Sequence, residues 1–174
     1  MKVEIRIAGL GGQGVVLAGQ ILGKAAIFEG FNAVQTQSYG AEARGSAAKS
    51  EVIIADDRIW YPYVRKCDIL IALSQEALNK YIKDLKENGM LIVDSVHVKE
   101  LPSKVEAKVF SVPFSKIAKE NFGAEIYANM IVLGFLAKST NLIKKKALEK
   151  AIVESVPAKF KDLDLKALEI GFSL

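Results

Sequence analysis

The stretch IAGLGGQGVVLAGQILG, from Ile7 to Gly23, constrains this chain more than any other. In front of it Val3, Ile5 and Ile7 alternate with charged residues, the period of a half-buried strand. Behind it Val16, Leu17, Ile21, Leu22, Ala25 and Phe28 recur at helical spacing, and Gly30 stops the helix. Gly9, Gly11 and Gly14 keep the G-x-G-x-x-G spacing at the turn between them. Gly9 is expected to permit the tight turn, Gly11 to leave room for close backbone approach, and Gly14 to let helix and strand pack closely. Gly12 opens the turn further, and the helix N-terminus offers free N–H groups to an anion. The alternative is a turn that merely joins a strand to a helix.

The rest of the chain alternates strand and helix with one interruption. Phe31 to Thr36 reads as a second strand, completing a βαβ unit. Gln37 to Ser46, QSYGAEARGS, has no clean period. Lys49 to Ala55 resumes as a strand, Asp56-Asp57 signals a turn, and Arg58 to Tyr61 is a candidate hairpin partner. Pro62 halts it, and Tyr63 to Lys66 reads as a short helical turn. Asp68 to Leu73 is a near-continuous apolar run, the mark of a buried parallel strand. Ser74 can N-cap a helix running to about Glu87 and ending at Asn88-Gly89. Strands are expected over Met90 to Asp94 and Val105 to Val112, and helices from Pro113 to Phe122, Ile126 to Lys138, Lys144 to Val153 and Pro157 to Gly171. The expected fold is α/β: one three-layer Rossmann-like domain over residues 1–174. It has a mostly parallel sheet, helices on both faces and a small inserted hairpin.

Composition narrows the function. Lys and Arg number 24 against 20 Asp and Glu in 174 residues, a length that suits one domain with a sizeable core. The densest basic run, Lys144-Lys145-Lys146, shares its stretch with Glu149 and Glu154 and reads as the wet face or start of a helix. No aromatic residues interleave with it, as a base-stacking surface needs, so nucleic acid is not an expected partner. One cysteine, Cys67, cannot close a disulfide or hold a cluster, and one histidine, His97, has no second to share a metal. Cys67 is expected to be a small core or strand-edge residue, and His97 a surface or turn residue. No apolar stretch reaches the ~18 residues of a membrane span, and the N-terminus reads as a strand instead of a signal peptide. The expectation is a cytoplasmic protein with no membrane partner.

A dinucleotide site needs an acid at the end of the second strand, about 20 residues on, to hold the ribose. That region reads Val34-Gln35-Thr36-Gln37, with neither an acid nor an arginine for a 2′-phosphate. No Lys-Ser or Lys-Thr follows the glycines, so this is not a P-loop either. The more telling charges come later, in Tyr39, Gly40, Glu42, Arg44 and Gly45, just after the second strand. Arg44 can clamp a phosphate or carboxylate bidentately, and Glu42 can orient it or pair across an interface. A salt bridge within a long surface loop is the plainer reading. Trp60-Tyr61-Pro62-Tyr63 has two readings as well, a partner contact or a core plug at a hairpin end.

GLGGQGVVLAGQILGKAA followed by QSYGAEARGSAAKSEVIIAD resembles the gamma subunit, or gamma domain, of the 2-oxoacid:ferredoxin oxidoreductases. That family has a G-x-G-G-Q-G loop, a Y-G-x-E-x-R-G-G segment running into a strand, and an asparagine–methionine pair on an apolar helix. Asn129-Met130 in YANMIVLG matches the pair. TQSYGAEARG, KSEVII, YPYV and ALSQEAL look most like the 2-oxoglutarate branch. Ala41 stands where a proline is common, and Ser46 where the second glycine is usual.

The resemblance implies a chain inactive alone. Thiamine diphosphate, Mg²⁺ and iron–sulfur clusters lie on partner alpha, beta and ferredoxin-like delta subunits, with coenzyme A as co-substrate and ferredoxin as acceptor. Gly9, Gly11, Gly12, Gln13, Gly14, Tyr39, Gly40, Glu42, Arg44, Gly45 and Asn129 are then expected at the coenzyme A side of a shared site or at a subunit interface. The family's dimer contact implies a homodimer when the chain is isolated. Two alternatives stay open: a stand-alone nucleotide-binding reductase and a purely structural assembly subunit.

Overall fold

The alternation that starts at Val3 continues past Ile7, and the strand runs into the glycines. A computed structural model describes residues 1–40 and 46–174. The described elements are β1 (Lys2–Leu10), α1 (Val15–Phe28), β2 (Asn32–Tyr39), β3 (Ala47–Ala55), β4 (Cys67–Ala72), α2 (Gln75–Tyr81), β5 (Leu85–Asp94), β6 (Ala107–Val112), α3 (Phe114–Phe122), α4 (Ala128–Thr140), α5 (Lys145–Ser155) and α6 (Ala158–Phe172). Single 3₁₀ turns lie at Ile82–Asp84 and Glu125–Tyr127.

The strands form one sheet in the order β2-β3-β1-β4-β5-β6. The β1–β4, β4–β5 and β5–β6 pairs are parallel, and β3 runs antiparallel to both β1 and β2. β1 and β2 therefore run the same way, as a βαβ unit requires, but β3 is inserted between them. The expected hairpin exists in a different place. It is β2–β3, and Arg58 to Tyr61 forms no strand. Tyr63 to Lys66 is not helical either. The helix after Ser74 is shorter than expected: Ser74 Oγ accepts from the Ala77 amide, but α2 ends at Tyr81 and Leu85 already pairs with Cys67 in the sheet. Asn88 turns there with φ 62°, so Asn88-Gly89 is an irregularity within β5 and not a helix cap.

Helices cover the two faces unequally. Ile5, Ile7, Val52, Ile54 and Ile71 face α1, α3, α4, α5 and α6, while Ala8, Ile53, Leu70, Leu91 and Val93 face α2 and the connecting segments. Every residue of α4 from Ala128 to Ala137 is buried, as a helix apolar on nearly every side requires. α6 crosses it closely at Gly134 and Gly171, where a Cβ on either would overlap backbone of the other helix. The thinly covered face holds a buried charge. Arg6 is 3 % exposed. Its Nε and Nη2 donate to Glu51 Oε2 at 3.0 and 2.9 Å, Nη2 to the Val64 carbonyl at 2.8 Å, and Nη1 to Asp84 Oδ2 at 2.6 Å. Burial alone lowers the pKa of Arg6, and the bonds to Asp84 and Glu51 outweigh it and raise the pKa.

Cys67 is fully buried, and burial pushes its thiol up to about 11, the mark of an inert core residue. Lys144-Lys145-Lys146 opens α5, and Lys145 pairs with Glu149 and Glu169. Among the described residues no helix is long and apolar enough to cross a membrane.

Two predictions concern stability. Replacing Arg6 by Met strands Glu51 in the interior and costs about 3–5 kcal/mol. Adding Glu51→Leu recovers most of that loss, as denaturant titration of the parent, the single and the double variant will show. Asp164 in α6 is 7 % exposed, and burial raises its pKa to about 6. The unfolded chain releases this proton near pH 4 and the folded chain holds it to about pH 6, so the penalty appears as pH rises between those values. Asp164→Asn therefore stabilises the chain at pH 7–8 by roughly 1–3 kcal/mol, and the gain vanishes below about pH 4.

Candidate functional site

β1 and β4 are neighbours, and the helices that follow them leave to opposite faces, α1 to one and α2 to the other. The crevice between their carboxyl ends is the switch point where open α/β sheets take ligands. The glycine loop lies there. Gly9 is not the tight turn: it is still in β1, opposite Ala48. A Cβ on it would overlap Gln13 Oε1, so its lack of a side chain makes room for Gln13. The turn falls on Gly12 and Gly14, at φ 92° and 70°, the region L side chains avoid.

Gln13 spans the crevice. The Leu10 amide donates to its Oε1 at 2.7 Å, and its Nε2 donates to the Leu73 carbonyl, just past β4, at 2.9 Å. The two bonds fix its side chain across the gap between β1 and β4. β3 also pushes β2 two strand spacings from β1, roughly 9–10 Å, so the end of β2 is out of place for a ribose. Geometry and the missing acid agree in disfavouring a dinucleotide here.

Gly14 is the N-cap of α1, with no side-chain cap. A Cβ on it would overlap the Asn129 amide, so the close approach it permits is to α4 and not to the sheet. Asn129 is 4 % exposed. Its Nδ2 donates to the Gly14 carbonyl at 3.3 Å and its Oδ1 accepts from the Met130 amide at 2.8 Å. Asn129 thus holds the start of α1 against the start of α4 from within.

The second sequence stretch meets the first through the backbone. The Gly11 amide donates to the Ser46 carbonyl at 2.7 Å, and the Gly40 amide to the Ala47 carbonyl at 2.7 Å. Ser46, in the place of the family's glycine, is buried with its Cβ against Gly40. Tyr39 ends β2 on the edge of the sheet and is exposed. Ala41, Glu42, Arg44 and Gly45 lie outside the described residues.

Three residues that periodicity did not single out complete the cleft: Asp94, Ser115 and Glu125 line it with Gly12, Gln13 and Leu73. Asp94 ends β5 and is 1 % exposed; Ser115 Oγ donates to its Oδ2 across a short contact, and the Val96 amide to its Oδ1 at 3.1 Å. The available signal was an aspartate closing a buried strand ahead of a serine opening a helix, where the helix N-terminus favours a carboxylate. His97 Nε2 stands 3.0 Å from Glu125 Oε2 in the turn after β5. The cleft encloses about 80 Å³, against roughly 300–1,000 Å³ for pockets that bury a cofactor-sized ligand.

Gly12 and Gly14 separate two costs. Ala at Gly12, with nothing near its Cβ, carries only the left-handed strain of about 1–2 kcal/mol. Gly14→Ala carries that strain and the overlap with Asn129, and is the more destabilising. In an Asn129→Ala background the cost of Gly14→Ala falls to that of Gly12→Ala, which a thermal-denaturation double-mutant cycle reads directly.

Comparison with known proteins follows the same lines. The model of the pyruvate ferredoxin/flavodoxin oxidoreductase family matches residues 4–174. The 2-oxoglutarate synthase subunit KorC of Methanocaldococcus jannaschii is 46 % identical over 177 residues, covering 100 % of this chain and 94 % of that one. The crystal structure of the gamma subunit of a keto/oxoacid ferredoxin oxidoreductase from Geobacter sulfurreducens PCA superposes with a TM-score of 0.86 at 46 % identity, covering 98 % of this chain and 96 % of that one. A 2-oxoglutarate:ferredoxin oxidoreductase from Magnetococcus marinus, with 2-oxoglutarate, coenzyme A and succinyl-CoA bound, shares the fold at a TM-score of 0.88 and 21 % identity over 99 % of this chain and 30 % of that one. With the likeness running from end to end, this chain belongs to the pyruvate ferredoxin/flavodoxin oxidoreductase family, as a gamma subunit of the 2-oxoacid:ferredoxin oxidoreductases.

Proposed function

We propose that this chain serves a complex that converts 2-oxoglutarate and coenzyme A to succinyl-CoA and CO₂ and passes two electrons to ferredoxin. The observation that carries the reading is the full-length 46 % identity to a 2-oxoglutarate synthase subunit. Thiamine diphosphate, Mg²⁺ and the iron–sulfur clusters belong in this reading to alpha, beta and ferredoxin-like delta subunits, and residues 1–174 act as one gamma domain in the cytoplasm. The lone cysteine is buried and inert, which suits a chain that holds no cluster.

The chain's own part is to complete the coenzyme A side of the site. The Gly11–Ser46 bond ties the start of β3 to the glycine loop at the carboxyl edge of the sheet. In this reading Arg44 holds a coenzyme A phosphate as a bidentate donor, and Glu42 fixes the guanidinium. A cleft of about 80 Å³ is too small for coenzyme A, which supports a site closed by a neighbouring subunit. The same smallness favours a second reading, in which Arg44 grips a partner carboxylate and the chain is purely an assembly subunit.

Arg44→Ala in a reconstituted complex separates the two. The coenzyme A role predicts an intact complex by native mass spectrometry and a KM for coenzyme A raised roughly tenfold or more, with the KM for 2-oxoglutarate unchanged. Loss of assembly instead supports the second reading. Unchanged assembly and unchanged succinyl-CoA formation remove Arg44 from the function.

A further inference from the structure

At the end of the sheet opposite the glycine loop, residues 56–66 cross from β3 to β4 without forming a helix or strand. Val64 is buried and Ile59 packs beside it on the thinly covered face, anchoring the segment. Between these anchors Trp60 is 80 % exposed, with Tyr61 and Tyr63 at 46 % and 57 %. This settles the two sequence readings: the aromatics are not a core plug.

The rings are organised with two arginines. The Arg58 guanidinium lies 4.4 Å from the Trp60 ring centroid, and that of Arg65 lies 5.0 Å from the Tyr61 ring, with Arg65 Nη2 donating to Tyr61 Oη at 3.3 Å. Tyr61 and Tyr63 meet edge to face at 5.6 Å. Among the described residues neither Arg58 nor Arg65 has a carboxylate within salt-bridge distance. Of the nearby acids, Asp56 pairs with the N-terminal amine and Glu4 with Lys2 and Lys86, while Asp57 makes no ion pair among the described residues. A guanidinium held over a ring keeps N–H donors for a carboxylate, and Arg65 uses only Nη2 on Tyr61. Concavities of about 370 and 380 Å³ flank Tyr61, with Lys2 lining both.

We propose that this patch docks an acidic segment of another subunit of the complex, with carboxylates on Arg58 and Arg65 and apolar side chains against Trp60 and Tyr61. The inference rests on the reading of this chain as a subunit, and adds an interface away from the coenzyme A site. Exposed Trp, Tyr and Arg are the residue types that dominate binding energy at protein interfaces. A second copy of this chain would set Lys2, Arg58, Arg65 and Lys66 against the same cations. A nucleic acid backbone would run along Glu4 and Asp57, which line the two concavities. Separate carboxylates on a peptide avoid both conflicts.

Trp60 is the only tryptophan, so its emission in the full chain reports this patch directly. Titration with poly-L-glutamate is expected to shift that emission, and Arg58→Glu/Arg65→Glu to abolish the response. In the reconstituted complex the same double variant weakens incorporation of the chain by roughly tenfold or more. The melting temperature of the isolated variant stays within about 2 °C of the parent, and Lys116→Glu on α3 changes nothing. Assembly unaffected by the double variant overturns the proposal. So does an emission response to an oligonucleotide and not to poly-L-glutamate, or one to chain concentration alone. If the parent chain joins no oxidoreductase subunits, the earlier reading fails, and the poly-L-glutamate titration still decides the patch.

Discussion

The pairing of Arg6 with Glu51 across β1 and β3 sets the register on which the candidate site depends. The two residues are direct antiparallel partners, and both are buried on the thinly covered face. Slipping β3 by one residue would turn Glu51 to the helical core and leave the Arg6 guanidinium buried without it. The same register places Ala47 opposite Leu10 and carries the Ser46 carbonyl to the Gly11 amide. A buried charge pair is weak evidence for net stability, but it is a strong constraint on which alignment is tolerated.

That alignment also explains why a loop with a nucleotide-binding glycine pattern does not make a dinucleotide site. The inserted antiparallel β3 separates β1 from β2, and Gln13 occupies the switch-point crevice by bridging Leu10 and Leu73. What the loop does instead is local and exacting. Two left-handed glycines turn the chain, Gly9 admits Gln13, and Gly14 admits Asn129. The resulting cleft is too small for a large ligand on its own.

Much of this was legible from residue pattern. The buried parallel strands, the apolar α4, the helix stop at Gly30 and the buried Cys67 all follow from local chemistry and periodicity. The pattern failed where tertiary pairing outweighed local preference. Leu85 to Gly89 has the polarity of a helix end, yet joins the sheet because Cys67 offers its backbone there. Arg58 to Tyr61 has strand-like residues, yet the edge it would have paired with belongs to β1 and β2. The glycine spacing was read correctly as a turn, while the glycine that makes the turn was not, since φ signs depend on what the loop must avoid.

By itself the sequence determined the fold class, the position of the glycine turn, the absence of a ribose acid and, through its two loop motifs, the family. These depend on spacing and residue type, which local geometry reads directly. Only the tertiary structure decided that β3 enters between β1 and β2, that Arg6 is buried, that Gln13 closes the crevice and that Trp60 stands in solvent. Each of these is a contact, or the lack of one, between residues far apart in the chain. Such an outcome is settled by which arrangement leaves the fewest buried polar groups unpartnered, and no window of neighbouring residues contains that comparison.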